Sequence, residues 1–569
     1  MTIPSLLVPS LSGYRSAWLP KDIIAGLVLS ALLVPQGMAY AELAGLPPVT
    51  GLYTSILCLV AYALIGPSKI LVLGPDSALG PMIAATILPL AGAEGDPARA
   101  ILLASCLAVM TGLIMFVAGI GKLGFVADLL SKPTILGYMN GLALTILVGQ
   151  LPKFLGFSVD SDNFLGDVAG VWQGIVGGLV VPAAAMIGAI TLLTILVLSR
   201  WLPKVPAVLV AVVLAIVISV GLDLQAKGVK VVGPLPEGLP HFSIPIVSLQ
   251  DAGLLFIGAF GIALVALTDT ISTATSFADR RGEFVDGNRE MIGIGAANLG
   301  AGLFQGFPVS TSGSRTAVAE QAGAKTQLTG VIGAVMIALM LVFFPNLLAD
   351  LPQPALGAIV IAAAVSLADI PAVLRLYHQR PVEFSLSMAA FLGVTLLGVL
   401  PGIVIAIALS VGNVFRRIWM PYRTTLGKVD DIPGLHDITS YPQAQQLPGC
   451  LVYRFDAPLI FANSGTFRNE INRMAFADPA PTWIIIAAEP ITDVDTTACD
   501  MLDDLVVQLD ARGIHLVFAE LKDPVRAKLD AYGLDHVLQD DHFFPTIKAA
   551  TTAYQEQQGV EWAPPPVAE

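Results

Sequence analysis

The sequence predicts a polytopic α-helical membrane protein that ends in a soluble α/β domain. Three observations carry that prediction. Of 569 residues, 55% are hydrophobic and only 13% charged, about half the charged share of an ordinary soluble domain. Apolar runs long enough to cross a bilayer, roughly 20 residues each, recur from Ile23 to Trp419. The net charge of −13 sits at one end: residues 1–424 hold 21 basic and 21 acidic residues, and residues 425–569 hold 9 basic and 22 acidic. A membrane domain (1–424) and a soluble domain (425–569) follow. Nothing in this charge pattern suggests a nucleic-acid binder.

Fourteen membrane segments are expected: 22–41, 51–66, 76–92, 99–120, 133–151, 174–199, 206–222, 253–279, 290–305, 311–324, 327–347, 354–373, 383–399 and 400–419. The charges test the count. With the N-terminus cytoplasmic and the segments alternating, sixteen Lys/Arg fall inside and four outside: Arg99, Lys153, Lys227 and Lys230. This is the positive-inside asymmetry, and it puts both termini in the cytoplasm. No cleavable signal is expected, since the first apolar run lacks a small-residue cleavage site. Arg315 alone is left inside the membrane region.

In the tail, the runs 451–462, 483–488 and 514–520 read as strands of a buried sheet. Helices are expected at 467–476, 497–513 (with Gly513 as its stop), around 522–533 and at 545–557. Strand–helix alternation of this length gives a small α/β domain. Cys58, Cys106, Cys450 and Cys499 are scattered without metal spacing and read as buried thiols.

The stretches GPDSALGPM (74–82) and GFPVSTSGSR (306–315) are rich in Gly, Pro and Ser where a membrane segment should begin. Each follows a polar-containing helix, LVPQGMAYAELAG (33–45) or LVALTDTISTATSFADRRG (264–282). The chain therefore reads as two seven-segment halves, inverted because seven is odd. Interrupted segments at matching positions of two halves point to a transporter's midplane site. Half-helices starting at about Ser77 and Ser312 would aim free N–H groups and dipole ends at a small anion. Ser77, Ser310, Thr311, Ser312 and Ser314 add hydroxyl donors.

Arg315 adds a full charge. It would hold the anion or snorkel to the interface, but a central arginine costs about 2.5–3.5 kcal/mol on insertion scales, which disfavours an idle one. Asp269, deep in an apolar segment, needs a proton, a cation or Arg315 as partner. Thr273, one turn later, would share a cation with it. Asp76 reads either as a helix cap or as a second proton site. Gln36 and Tyr40, four apart, form one polar helix face for packing or substrate contact. No Ser/His/Asp spacing, HExxH motif or phosphate loop occurs, so neither an enzyme nor a cofactor is expected.

VPQGMAYAELAGLPPVTGLY (34–53), the stretch 74–83 and NREMIGIGAANLGAGLFQGFPVSTSGSRTAVAEQAGAKT (288–326) resemble the SulP family of anion permeases. The tail resembles a STAS domain. The resemblance implies a homodimer of fourteen-segment inverted repeats, with a core domain moving against a gate domain in an elevator-like way. It places substrate contacts at Gln36, Tyr40, Ser314 and Arg315, and a third-segment contact at Asp76, where many members are apolar. Many proton-coupled members carry glutamate at the position of Asp269, whereas Asp269 with Thr273 is similar to the sodium-site pattern of bicarbonate-transporting members. The surrounding motifs look more like bacterial sulfate permeases, which implies the bacterial inner membrane. The expected function is sulfate symport with H⁺. Na⁺-coupled bicarbonate or dicarboxylate transport is the alternative, and a membrane-anchored STAS regulator is one of another class. DVDTTACDML (493–502) matches the phosphorylated stretch of STAS antagonists with Thr496 and Thr497, which also read as caps of the helix that follows.

Overall fold

A computed structural model describes residues 14–92, 96–124, 131–159, 161, 163–202, 205–430 and 432–563. Its two compact units are Met1–Val411 and Gly412–Glu569. The first half of the membrane part runs α1 (Leu19–Leu43), α2 (Pro48–Ile65), β1 (Leu73–Gly74), α3 (Gly80–Ala91), α4 (Pro97–Ile120), α5 (Lys132–Leu155), α6 (Phe164–Val176), α7 (Pro182–Trp201) and α8 (Ala207–Gly221). The second half repeats the order: α9 (Leu249–Asp279), α10 (Gly287–Leu303), β2 (Ser310–Thr311), α11 (Gly313–Gln321), α12 (Leu328–Phe343), α13 (Gln353–Leu367), α14 (Ile370–Gln379), α15 (Pro381–Leu397) and α16 (Val399–Trp419). Proline in the first turn starts α2, α4, α5, α7 and α13, where its missing N–H is no loss and its φ is already helical.

Fourteen of these helices answer to the expected segments; α6 and α14 are additional. Both are too short to span a bilayer. Leu165, Val168, Trp172 and Ile175 form an exposed stripe on α6, and Ile370, Leu374 and Tyr377 do so on α14. That spacing suits a helix lying in the interface plane. Each follows the fifth crossing helix of its half, so the duplication extends to them.

The crossing helices form two groups. In one, α10 packs on α4 and α2, α1 on α2 and α12, and α9 on α3 and α4. In the other, α5 packs on α13 and α15, and α7 on α8 and α13. Helix α1 also meets α8 and α13 of the second group. Backbones touch where glycine permits: a Cβ on Gly51 would lie 1.9 Å from the Gly37 oxygen, and one on Gly137 1.8 Å from the Ser387 oxygen. Leu193, Val217, Phe256 and Val404 stand exposed. Such exposed apolar side chains suit contact with lipid. Two acids are buried within the first group. Asp22 accepts from the Lys325 and Thr326 amides and from the Thr326 and Thr329 hydroxyls, and Glu290 accepts from Tyr62 at 2.7 Å and from Ser68.

The C-terminal sheet comprises β3 (Arg423–Lys428), β4 (Leu435–Asp437), β5 (Cys450–Phe455), β6 (Trp483–Ala487), β7 (His515–Ala519) and β8 (Phe543–Phe544) in the order β4-β3-β5-β6-β7-β8. Strands β5 to β8 are parallel, and β3 and β4 add antiparallel pairs. Its helices are α17 (Ser464–Ala475), α18 (Thr496–Asp510), α19 (Asp523–Ala531) and α20 (Ile547–Gln558). Phe455, Ile484, Ile486 and Leu516 face one core, while Val452, Ile485, Val517 and Tyr554 face the other. Burial on both faces is why these strands read as unbroken apolar runs. The run 451–462 leaves the sheet at Phe455, just before Asp456 and Pro458. Gly513, at φ +72°, closes α18 as expected, with the Ile514 amide returning to the Leu509 carbonyl.

One expected cap is corrected. Neither Thr496 nor Thr497 caps α18; Asp495 does, accepting from the Ala498 amide at 2.8 Å and, through its other oxygen, from the Phe461 amide at 2.7 Å. Aspartate caps at least as well as threonine, and here it ties in a second loop. The two threonines are exposed first-turn residues.

Candidate anion and cation site

The two interrupted stretches meet. Strands β1 and β2 pair antiparallel, Leu73 opposite Thr311 and Gly74 opposite Ser310. The Ser312 amide donates to the Val72 carbonyl at 3.1 Å, and the Val72 amide to Thr316 Oγ1 at 3.0 Å. Buried side chains clamp the second stretch. Asn298 bonds both backbone groups of Val309, Thr54 Oγ1 accepts from the Phe307 amide, and Ser105 donates to the Gly306 carbonyl. Irregular backbone is tolerated at such depth only when its polar groups are satisfied in this way.

Ser312 caps α11, its Oγ accepting from the Arg315 amide at 3.4 Å and lying 3.1 Å from Ser314 Oγ. The first half-helix begins later than expected, at Gly80 rather than near Ser77. Asp76 does not cap it. Its Oδ1 takes the Ala78 amide at 2.9 Å and holds residues 77–79 as a turn before the helix.

Arg315 does not snorkel. It is 1% exposed, its Nη1 donates to the Pro75 carbonyl at 2.6 Å, and its Nη2 lies 3.7 Å from Asp76 Oδ2. Its Nε and Nη2 have no hydrogen-bond partner among the described residues. Gly74 makes the room: a Cβ there would stand 3.1 Å from Nη1. The anticipated alternative pairing of Arg315 with Asp269 gives way to Asp76. Asp269 instead accepts from Ser310 Oγ at 2.9 Å.

Tyr40 is buried beside Ser77 and within electrostatic reach of Arg315 and Asp76. Gln36 is half-buried one turn earlier on the same helix. Thr273 turns its methyl toward the start of α11, 4.0 Å from where a Gly313 Cβ would be. Thr311 is buried beside Asp269. Thus Tyr40, Asp76, Ser77, Ser312, Ser314 and Arg315 gather around the paired breaks, with Asp269 and Thr273 alongside; Gln36 is tied to them only through its place one turn before Tyr40 on α1.

Asp269 also borders a cavity of about 340 Å³ between the two helix groups, together with Thr268 and Ser272 of α9 and Lys132 and Tyr138 of α5. The last four carried no sequence signal as a set, since α5 and α9 are far apart in the chain. Tyr138, a hydroxyl within an apolar run, was the one visible hint.

Two halves of matching element order, crossing at paired helix breaks around a buried arginine, define a multi-pass membrane transporter and not an enzyme. The chain matches the model described as the sulfate permease family over residues 19–390, and that of the STAS domain over residues 441–550. It belongs to the sulfate permease family. A relative from Mycobacterium tuberculosis named a probable sulfate transporter is 42% identical over 545 residues, covering 96% of this chain and 97% of its own. The fold is similar to that of the murine Solute Carrier 26 family member A9 anion transporter in its inward-facing state, with a TM-score of 0.88 at 23% identity over 97% of this chain and 94% of that one. It is also similar to the transmembrane domain of the cyanobacterial bicarbonate transporter BicA, with a TM-score of 0.59 at 22% identity over 70% of this chain and 99% of that one.

Proposed function

We propose that this chain is a secondary active transporter that carries sulfate together with H⁺, as a homodimer in a bacterial inner membrane with both termini cytoplasmic. The observation that carries the reading is the buried Arg315, whose Nε and Nη2 have no hydrogen-bond partner among the described residues while its Nη1 is anchored to Pro75. An anchored guanidinium with idle N–H groups suits a bidentate oxyanion partner. The start of α11 adds its dipole end, and Tyr40, Ser77 and Ser314 add hydroxyls. The name of the mycobacterial relative supports sulfate as the anion.

Charge supplies the coupling. Arg315, Asp76 and Asp269 together leave the empty site one negative charge in excess when all three are ionised, which opposes an anion. A proton taken by Asp269, at the edge of the cavity, removes that excess, so proton and sulfate bind more tightly together than either does alone. Elevator-like movement of the α1–α4 and α9–α12 group against the other then carries both across.

The test is labelled-sulfate uptake into proteoliposomes under an inward H⁺ gradient and, separately, an inward Na⁺ gradient. Accumulation driven by H⁺ and lost in Asp269→Asn, with downhill exchange retained, is the expected result. Dependence on Na⁺ would instead make Asp269 and Thr273 a cation site and bicarbonate the next substrate to try. No sulfate uptake under either gradient would sink the assignment.

A further inference from the structure

The C-terminal domain contains a cluster of ligating side chains that transport does not use. His515 opens β7, and the turn leading into β8 sets Asp541 and His542 against it. One imidazole nitrogen of each histidine and a carboxylate oxygen of Asp541 all lie within 4.8 Å of one another. The two rings are 4.3 Å apart between centroids and inclined at 47°, so they are not stacked face to face. His542 is 6% exposed, and its Nδ1 lies 2.6 Å from the Leu516 carbonyl oxygen. A carbonyl can only accept, so Nδ1 carries the proton and Nε2 keeps its lone pair. A backbone carbonyl fixing the tautomer of a buried imidazole is the usual outer support of a metal-binding histidine.

We propose that His515, Asp541 and His542 bind one zinc ion, with the fourth position open to water. Two imidazoles and one carboxylate suit zinc, copper or nickel far better than magnesium or calcium. Around a tetrahedral zinc with bonds of about 2.0–2.1 Å, ligand atoms stand roughly 3.3 Å apart. The ligand atoms here lie within 4.8 Å of one another and must draw closer around the ion, and the exposed Asp541 carboxylate marks the way in from solvent. The ion would pin the turn before β8, a two-residue edge strand, to β7. It would thereby add to the stability of the sheet edge, increasingly as free zinc exceeds its dissociation constant.

Titrating zinc into the full-length chain, purified without a histidine tag, stripped with chelator and kept in detergent, tests this by calorimetry. One ion per chain is expected to bind at micromolar or lower concentration. Binding should weaken at least tenfold in Asp541→Asn and in the double variant His515→Gln/His542→Gln. It should persist in His436→Gln/His536→Gln, which removes the two other histidines of the same domain. Cobalt(II) should give tetrahedral visible bands with the unmodified chain and lose them in Asp541→Asn. Because Asp541 is exposed, that variant decides the matter even where the double histidine variant fails to fold. No zinc uptake by the unmodified chain, or uptake unchanged in Asp541→Asn, would overturn the proposal.

Discussion

Arg315 is held by one bond to Pro75 and by a charge at 3.7 Å on Asp76, and those two contacts have different consequences. The first orients the guanidinium; the second competes with the anion for it. Replacing Asp76 by Asn removes the competitor but keeps a side-chain oxygen for the Ala78 amide. Asp76→Asn is therefore expected to bind sulfate about tenfold more tightly, which corresponds to about 1.4 kcal/mol, and to lose part of its dependence on the H⁺ gradient. Sulfate affinity measured by calorimetry at two pH values checks both. Weaker binding would mean that Asp76 itself helps to hold the site. Much of this constellation was legible beforehand, because an arginine and a carboxylate in apolar surroundings stand out against their neighbours. Which acid Arg315 would choose was not: the sequence offers Asp269 as its partner, and Asp76 comes beside it only once β1 and β2 are paired, a long-range pairing.

The same division holds for elements. Crossing helices announce themselves by length and apolarity, and the central strands by continuous apolar runs. Strands β4 and β8 do not, because they are short edge strands, and β3 does not, because polar residues such as Arg423, Thr424 and Lys428 interrupt it. The amphipathic α6 and α14 fall between the two signals. Glycines are equally ambiguous in sequence, yet the structure separates their roles. Gly137→Ala would drive a methyl into the Ser387 backbone and separate α5 from α15, so folded yield in detergent should fall, with a loss of roughly 2–4 kcal/mol. Gly74→Ala presses only on the end of Arg315, so yield should hold while sulfate affinity drops. Equal behaviour of the two in size-exclusion and binding measurements would contradict this reading.

Strand β4 shows how an edge element is secured. Asp437 accepts from the Tyr422 and Thr424 hydroxyls and from both the amide and the hydroxyl of Thr439. These bonds hold its carboxyl well below the ordinary value of 3.8. A depressed folded pKa contributes stability that is present above the ordinary value and drains away as pH falls through the folded one. Asp437→Asn should accordingly lower the melting temperature of the C-terminal transition at pH 7, and the gap from the unmodified full-length chain should narrow below about pH 4. A gap that does not change with pH would rule out ionisation as the cause.

At the scale of the whole molecule, charge placement gives the membrane unit a direction. On the orientation proposed above, helix α5 runs from Lys132 at its cytoplasmic end to Lys153 near its outer end. Its inner end borders the cavity that reaches Asp269, while at its outer end Lys153 pairs with Glu42 of α1, joining the two helix groups. On that proposed orientation, a cavity on one side and an ionic latch on the other suit a site closed to the outside. If the groups move against each other during transport, this latch must open for sulfate to enter. A carrier whose outward-open state is seldom populated shows a weakened apparent affinity in proportion to that population. Glu42→Lys and Lys153→Glu, each placing like charges across the latch, should therefore lower the external KM for sulfate. The swap Glu42→Lys/Lys153→Glu, which restores attraction in the reverse sense, should return KM toward that of the unmodified chain. Singles and swap with the same KM would mean that the pair secures local structure and takes no part in alternating access, because only a latch between moving groups converts its charge product into a population.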